Sequence, residues 1–227
     1  KSRISSLIAV ALNRLGRSVA ILDADITGPS IPKSFGITQK AYGEHDVIIP
    51  AYSLGQIQIM SANLLLESED DPILWRGPLI GDLVKQFYTD VYWRDVEYMV
   101  IDMPPGTGDV ALTTFQSIPV TGIIIVTTPQ DLVANIVQKA IKMAQQMQIK
   151  VLGLVENMSY VECPDCGKRI DIYGNSHAEE TAKKFAIPFL GQLPIQPELS
   201  RLVDAGEIEK ADTSRLTKVI ETILENE

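Results

Sequence analysis

Short runs of aliphatic and β-branched residues recur along this chain, and each stops at a polar residue or a proline turn. They are SVAILDAD (18–25), VEYMVIDMPPG (96–106), TGIIIVTTP (121–129), KVLGLVENM (150–158) and IPFLGQLP (187–194). A strand buried on both faces loses the in–out alternation of a surface strand and becomes such a run. Helical patterns separate the runs. One covers 5–15. Another, over 131–148, sets Leu132, Ile136, Val137, Ala140, Ile141 and Ala144 on one stripe. Others cover 178–186, 197–205 and 213–226. Strand and helix in alternation imply a mostly parallel sheet with helices on both faces, a three-layer α/β/α arrangement. No internal repeat, low-complexity tract or linker breaks the alternation, so 1–227 reads as a single domain.

In such sheets ligands bind at the carboxyl ends of the strands. The polar residues at those ends are Asp23, Asp25, Asp102, Thr127, Thr128 and Asn157. The chain opens with Lys1-Ser2 directly before a helical pattern. A phosphate-binding loop ends in Gly-Lys-Ser/Thr and runs straight into a helix. Its amide N–H groups hold the phosphates, the lysine reaches their outer oxygens and the hydroxyl binds Mg²⁺. The glycines are absent here, so two residues alone carry little. YMVIDMPPGTGD adds a buried strand delivering one carboxylate, Asp102, to the edge of a site, as a Mg²⁺-associated aspartate requires. The Pro-Pro-Gly-Thr-Gly-Asp turn that follows suits the sensing of a γ-phosphate. Strand-capping aspartates and ordinary turns remain the plain alternative for each stretch.

Charge narrows the partners. The formal net charge is −9 and no run of five or more basic residues occurs. Nucleic acid is therefore not expected as an electrostatic partner. No apolar run reaches the roughly 18–20 residues of a membrane span. The opening KSRISSLIAV lacks a small-residue cleavage site and is not read as a signal peptide. Two cysteines do not make a disulfide scaffold, and a reducing cytoplasm is the expected compartment.

Both cysteines lie in ENMSYVECPDCGK (156–168). Cys163-Pro-Asp-Cys166 has three readings. A redox pair usually opens a helix after an early strand, whereas this pair comes late and is followed at once by Gly167. Half of a zinc ribbon needs a second pair; His177, eleven residues on, leaves an intramolecular zinc site one ligand short. A bridging site needs a second copy of the chain, which raises the thiolates to the four that hold a [4Fe–4S] cluster.

Taken in order, these pieces resemble the Mrp/ApbC group of iron–sulfur cluster carriers. They are P-loop ATPases of the deviant Walker A class that also contains MinD, ParA and the nitrogenase iron protein. KSRISSLIAVALNRLG falls in register with the end of the family's glycine-rich loop and the helix after it. LDADITGPSIPKSFG, WRGPLI, IDMPPGTGDVALT, TTPQD and GLVENMSYVECPDCG match family signatures in sequence order over essentially the whole chain. The first strand, the glycine-rich part of the loop and its early lysine, which the family lends to the partner subunit, are not in the sequence. Arg3 stands where the family usually has Thr.

The resemblance implies the P-loop fold of the MinD-like class and a weak ATPase coupled to cluster transfer. Lys1 would contact the β- and γ-phosphates of ATP, and Ser2 would ligate Mg²⁺. Asp23 would lie near the metal's water shell, Asp25 would position the attacking water, and Asp102 would be the Walker B carboxylate bound to metal-held water. Asn157 would contact adenine. Cys163 and Cys166 would bind the cluster in a homodimer that serves apo iron–sulfur proteins. The segment 64–78, LLLESEDDPILWRGP, is expected as a surface loop leading into a helix. Two other classes stay open. A MinD/ParA-type spatial switch needs a membrane-binding tail or a basic face, yet glutamates outnumber Arg215 and Lys218 in the C-terminal helix. A zinc-binding interaction module would ignore nucleotide altogether.

Overall fold

The computed structural model describes residues 1–26, 28–44, 47–66, 77–174 and 176–227. In chain order the elements are α1 (Ser2–Arg14), β1 (Val19–Asp23), α2 (Ile31–Ser34), β2 (Tyr42–Glu44), β3 (Val47–Ile49), β4 (Ala51–Tyr52), β5 (Gln58–Met60), α3 (Gly77–Thr89), β6 (Tyr98–Asp102) and α4 (Asp109–Ser117). They continue with β7 (Ile123–Thr127), α5 (Asp131–Gln146), β8 (Val151–Glu156), β9 (Val161–Glu162), β10 (Arg169–Ile170), α6 (Ala178–Lys184), β11 (Phe189–Gln192), α7 (Pro197–Asp204) and α8 (Thr217–Leu224). The chain divides into two compact units, Lys1–Ile118 with Leu199–Leu216, and Pro119–Glu198 with Thr217–Glu227.

The first unit is built on a sheet in the order β4-β5-β1-β6. β1 runs parallel to both β5 and β6. β4 is antiparallel to β5. Every residue of β1 is buried, which is why its sequence is an unbroken apolar run ending in Asp23. α1 lies against β1 and β6. It buries Ile4 and every residue from Ser6 to Leu12, so its middle is covered on all sides, as an almost wholly apolar run allows. Its last-turn Arg14 donates to the carbonyls of Ala211 and Glu209, both at 2.7 Å, and so ties down the returning segment.

That segment also brings two glycines together. Gly36 and Gly206 have φ of +64° and +72°. A Cβ on Gly206 would stand 2.5 Å from the Gly36 Cα. Gly206→Ala adds left-handed strain to a backbone collision, so it should lower the unfolding free energy by about 2–4 kcal/mol. Urea unfolding measures this, and a stability equal to wild type would contradict the packing described.

The second unit carries the parallel sheet β11-β8-β7. Ile125 and Leu154 of the sheet pack with Val137 and Ile141 of α5 and Ala178 and Ala182 of α6. α8 lies against β11. After β8 the chain makes a small antiparallel hairpin, β9–β10, before α6 begins.

The strands and helices expected from the sequence all form, within a few residues. The expected α5 stripe is narrower than its sequence pattern, since Val137, Ile141 and Ala144 are buried but Ile136 is 52% exposed. The sequence reading missed β2–β5, β9–β10, α2 and α4. The strands among these are two or three residues long, too short to leave a period in the sequence. The expected loop at 64–78 lies, over 67–76, outside the described residues; α3 follows it.

Candidate functional site

The phosphate-type residues of the first unit gather at the carboxyl ends of β1 and β6. The parallel register pairs Asp23 with Asp102 directly. α1 starts beside them: the Lys1 carbonyl accepts the N–H groups of Ile4 and Ser5, so Lys1 occupies the N-cap position. The Ser5 hydroxyl, one turn in, donates to Asp102 Oδ1 at 2.8 Å. Asp102 Oδ2 is buried and accepts no hydrogen bond. Burial raises the Asp102 carboxyl above its ordinary value, and the Ser2 and Ser5 hydroxyls counter this. The protein around Lys1 holds its ammonium below the ordinary value, against the pull of Asp102 and Asp25. Lys1, Ser2, Asp25 and Asp102 thus act on one another at a helix N-terminus, where backbone N–H groups favour an anion. A buried carboxylate oxygen without a donor, beside a serine hydroxyl, is the hard-oxygen donor set that Mg²⁺ takes. The residues present fit that ion.

Asp23 is completely buried and faces inward. Its Oδ1 accepts the Asp25 N–H at 3.2 Å. Its Oδ2 accepts the Ile31 N–H at 3.4 Å and the Ser61 hydroxyl at 3.1 Å. The carboxylate therefore shapes the loop that carries Asp25. Burial, with the Asp102 charge added, pushes its pKa up to about 7. An acid whose folded pKa lies above its unfolded value contributes stability at low pH and loses it as pH rises towards the folded pKa. With an unfolded pKa near 3.9, Asp23 should lower the unfolding free energy by about 2 kcal/mol between pH 5.5 and 8. Urea melts of nucleotide-free protein at both pH values measure this. A stability that rises over that interval would contradict it.

In the second unit, Asn157 directly follows β8. Its N–H donates to the Thr127 carbonyl at 2.8 Å, and its side chain is half-buried. Thr127 and Thr128 border a cavity of about 150 Å³ together with Gln130, Glu156 and His177.

The cysteines sit on the β9–β10 hairpin. The Cys163 N–H donates to the Lys168 carbonyl at 3.0 Å, and the Gly167 N–H donates to the Cys163 carbonyl at 2.9 Å. Gly167, at φ +68°, closes the turn. The N–H groups of Asp165 and Cys166, and then the Cys166 thiol, draw the Cys163 thiol below its ordinary pKa. Backbone donors aimed at sulfur favour the thiolate, the form in which cysteine ligates metals. Both cysteines are free, Cys163 partly and Cys166 fully exposed. Among the described residues no group of three or more His, Cys, Asp or Glu side chains could hold a metal. The pair therefore stands as two ligands open to solvent. Met158, Ile170, Ile172 and Tyr173 around it are exposed too. Arg169 lies over the Tyr160 ring at 4.2 Å and braces the hairpin's side.

The sequence reading did not single out Ser5, Ser61 or Glu156. Serines and a glutamate carry no motif of their own here, and spatial neighbours alone reveal them.

Comparison with known proteins bears on both sites. The family model described as ParA, NUBPL iron-transfer P-loop NTPase, matches residues 1–226. An iron–sulfur cluster carrier protein of Clostridium perfringens is 40% identical over 218 residues, 92% of this chain and 76% of that protein. A nucleotide-binding protein of Archaeoglobus fulgidus, solved in complex with ADP and with cobalt, is 39% identical with a TM-score of 0.84; the match covers 95% of this chain and 85% of that one. The MinC:MinD cell division complex of Aquifex aeolicus aligns at a TM-score of 0.67 and 18% identity, over 100% of this chain and 91% of that one. The last likeness speaks to fold alone, that of the α/β P-loop NTPases of the MinD class. No helix among the described residues is long and apolar enough to cross a membrane.

Proposed function

The chain belongs to the ParA family of NUBPL-type iron-transfer P-loop NTPases, and from that premise we propose that it carries a [4Fe–4S] cluster between two copies of itself and delivers it to apo iron–sulfur proteins. The observation that carries this reading is the Cys163–Cys166 knuckle: two exposed, reduced thiols, one of them acidified by backbone N–H groups. Two thiolates are half of a Cys₄ site, and a two-fold axis supplies the other half. A cluster held on an exposed hairpin at an interface can be reached by an acceptor's thiolates, which suits cargo better than a buried electron carrier. A reducing compartment such as the cytoplasm keeps the thiols available.

In the same reading, residues 1–227 form one P-loop domain in which Lys1, Ser2, Asp23, Asp25 and Asp102 serve the phosphates of ATP. Lys1 binds the outer phosphates at the start of α1. Ser2 and Asp102 would hold Mg²⁺, which when bound supplies neutralisation of phosphate charge. Asp25 orients the attacking water, held by a loop that Asp23 fixes through its inward hydrogen bonds. Hydrolysis of this kind depends on positioning and charge neutralisation, so this sparse set suffices for a weak ATPase.

Anaerobic reconstitution with iron and sulfide tests the reading. About four iron and four sulfide should be retained per two chains, with a mass of two chains on size-exclusion chromatography and light scattering. A colourless monomer that retains no iron would overturn it.

A further inference from the structure

The end of β8 holds a buried carboxylate that neither site described above uses. Glu156 is 1% exposed. Its Oε1 accepts the Ser176 hydroxyl at 2.7 Å. Its Oε2 accepts the Ser159 hydroxyl at 2.6 Å and the Gln192 amide at 2.7 Å. These donors come from three separate places: Ser159 stands before the cysteine hairpin, Ser176 after it, and Gln192 ends β11. We propose that Glu156 is the positioning residue of the cysteine hairpin, gripping both of its legs where they leave the sheet and so fixing where Cys163 and Cys166 stand. The proposal rests on the reading that these cysteines hold a shared cluster.

The chemistry selects glutamate at this position. All three partners donate, so both oxygens must accept, and an ionised carboxylate does so with short, charge-assisted bonds. A glutamine whose oxygen kept Ser159 and Gln192 would turn its N–H₂ onto Ser176, so that hydroxyl would have to accept instead of donate and the charge assistance would be lost. The Ser176 hydroxyl passes the contact on: while donating to Glu156 it accepts the Ala178 N–H at 3.2 Å, in the first turn of α6. The outgoing leg has backbone support as well, from Ser159 N–H to the Leu193 carbonyl at 2.9 Å and Ile195 N–H to the Tyr160 carbonyl at 2.8 Å. The returning leg is joined to the end of β8 through Ser176.

Leverage makes the grip matter. Cys163 lies four residues beyond Ser159, a reach of about 13 Å in extended chain. A tilt of about 10° at the base would move the thiol by about 2 Å over that reach. Metal–thiolate bonds tolerate displacements of only about 0.2 Å. In a site assembled from two chains, such an error enters from both sides.

The test compares wild type with Glu156→Gln and Ser176→Ala, each first checked for folding by circular dichroism. Anaerobic reconstitution with iron and sulfide should give at least about tenfold weaker iron retention for Glu156→Gln, the scale of loss of an outer-shell partner. Ser176→Ala should lose less. In the apo chain, hydrogen exchange over 159–176 should be faster in both variants. The pH midpoint of iodoacetamide attack on Cys163 should stay where it is in wild type, because the knuckle's own N–H groups are untouched. A role confined to global stability would shift the melting temperature without altering iron bound per folded chain. Wild-type iron retention and wild-type exchange in the folded variants would overturn the proposal. Should Glu156→Gln not fold, Ser176→Ala decides it by the same readouts. Should wild type itself take no iron, the carrier reading fails, while exchange over 159–176 still decides whether Glu156 grips the hairpin.

Discussion

Cys163→Ala, reconstituted anaerobically beside wild type, is expected to retain essentially no iron and to run as a single chain. In a bridging site one substitution per chain deletes two of four ligands, and a cluster cannot hold on two thiolates exposed to water. The loss should be ligand chemistry rather than unfolding. Cys163 takes part in the hairpin through its backbone, as donor to Lys168 and acceptor from Gly167, and alanine keeps both bonds; the N–H groups of Asp165 and Cys166 that lose the sulfur belong to exposed residues and turn to water. The melting temperature of the apo chain should therefore change little. Cys166→Ala should lose the cluster equally, since it too removes two ligands per pair, although its sulfur is the more exposed. Iron and sulfide content, visible absorbance and light-scattering mass, read together, measure the result. Wild-type iron in either variant would mean that the cluster sits elsewhere.

Asp102→Asn should separate two effects that normally run together. The first is on nucleotide. At a concentration about 100 times its Kd, a ligand stabilises the fold by about 2.7 kcal/mol. The part of the ATP effect that depends on Mg²⁺ should vanish in the variant, because the buried, donor-free Oδ2 becomes an amide that repels the cation's water. The second effect is on the apo chain, and its sign is opposite. Burial raises the Asp102 carboxyl, and the Asp102 charge in turn adds to the rise of Asp23 beside it. Removing that charge should stabilise the nucleotide-free protein at pH 8 and bring the Asp23 titration down. The Ser5 hydrogen bond survives, since the asparagine oxygen can accept it. Thermal melts with ATP, with Mg²⁺·ATP and without ligand give both signs in one series. An unchanged Mg²⁺ increment would remove Asp102 from the metal site.

The two variants probe sites of different legibility. The cysteine pair is local in sequence, so its spacing alone marked it as a candidate, with redox, zinc and bridging-cluster readings open. The Asp23–Asp102 pair is not local. Each aspartate ends an apolar run, and strand ends are where such sheets bind ligands, so both were legible as candidates. That they face one another in register follows from β1 and β6 being neighbours, a fact carried by the connections between them. The expected role of Asp23 near a metal shell meets a carboxylate already engaged by Asp25, Ile31 and Ser61. Ser61 is 38 residues away, and no sequence pattern links the two.

Ile136 and Glu156 show the same division within single elements. Periodicity placed Ile136 on the apolar stripe of α5, but Val137 and Ile141 are the residues that pack on Ile125 and Leu154, and Ile136 is exposed. Glu156 was not singled out in the sequence. Its burial depends on Ser159, Ser176 and Gln192 arriving from three segments.

The sequence by itself determined the alternation of strand and helix, the polar residues at strand ends and the thiol spacing, because burial on both faces and chain geometry act over a few residues at a time. The tertiary structure decided which carboxylates repel, which one is left without a donor and what grips the hairpin. Those depend on desolvation and on hydrogen bonds between segments far apart in the chain, and both arise only when the sheets have closed around them.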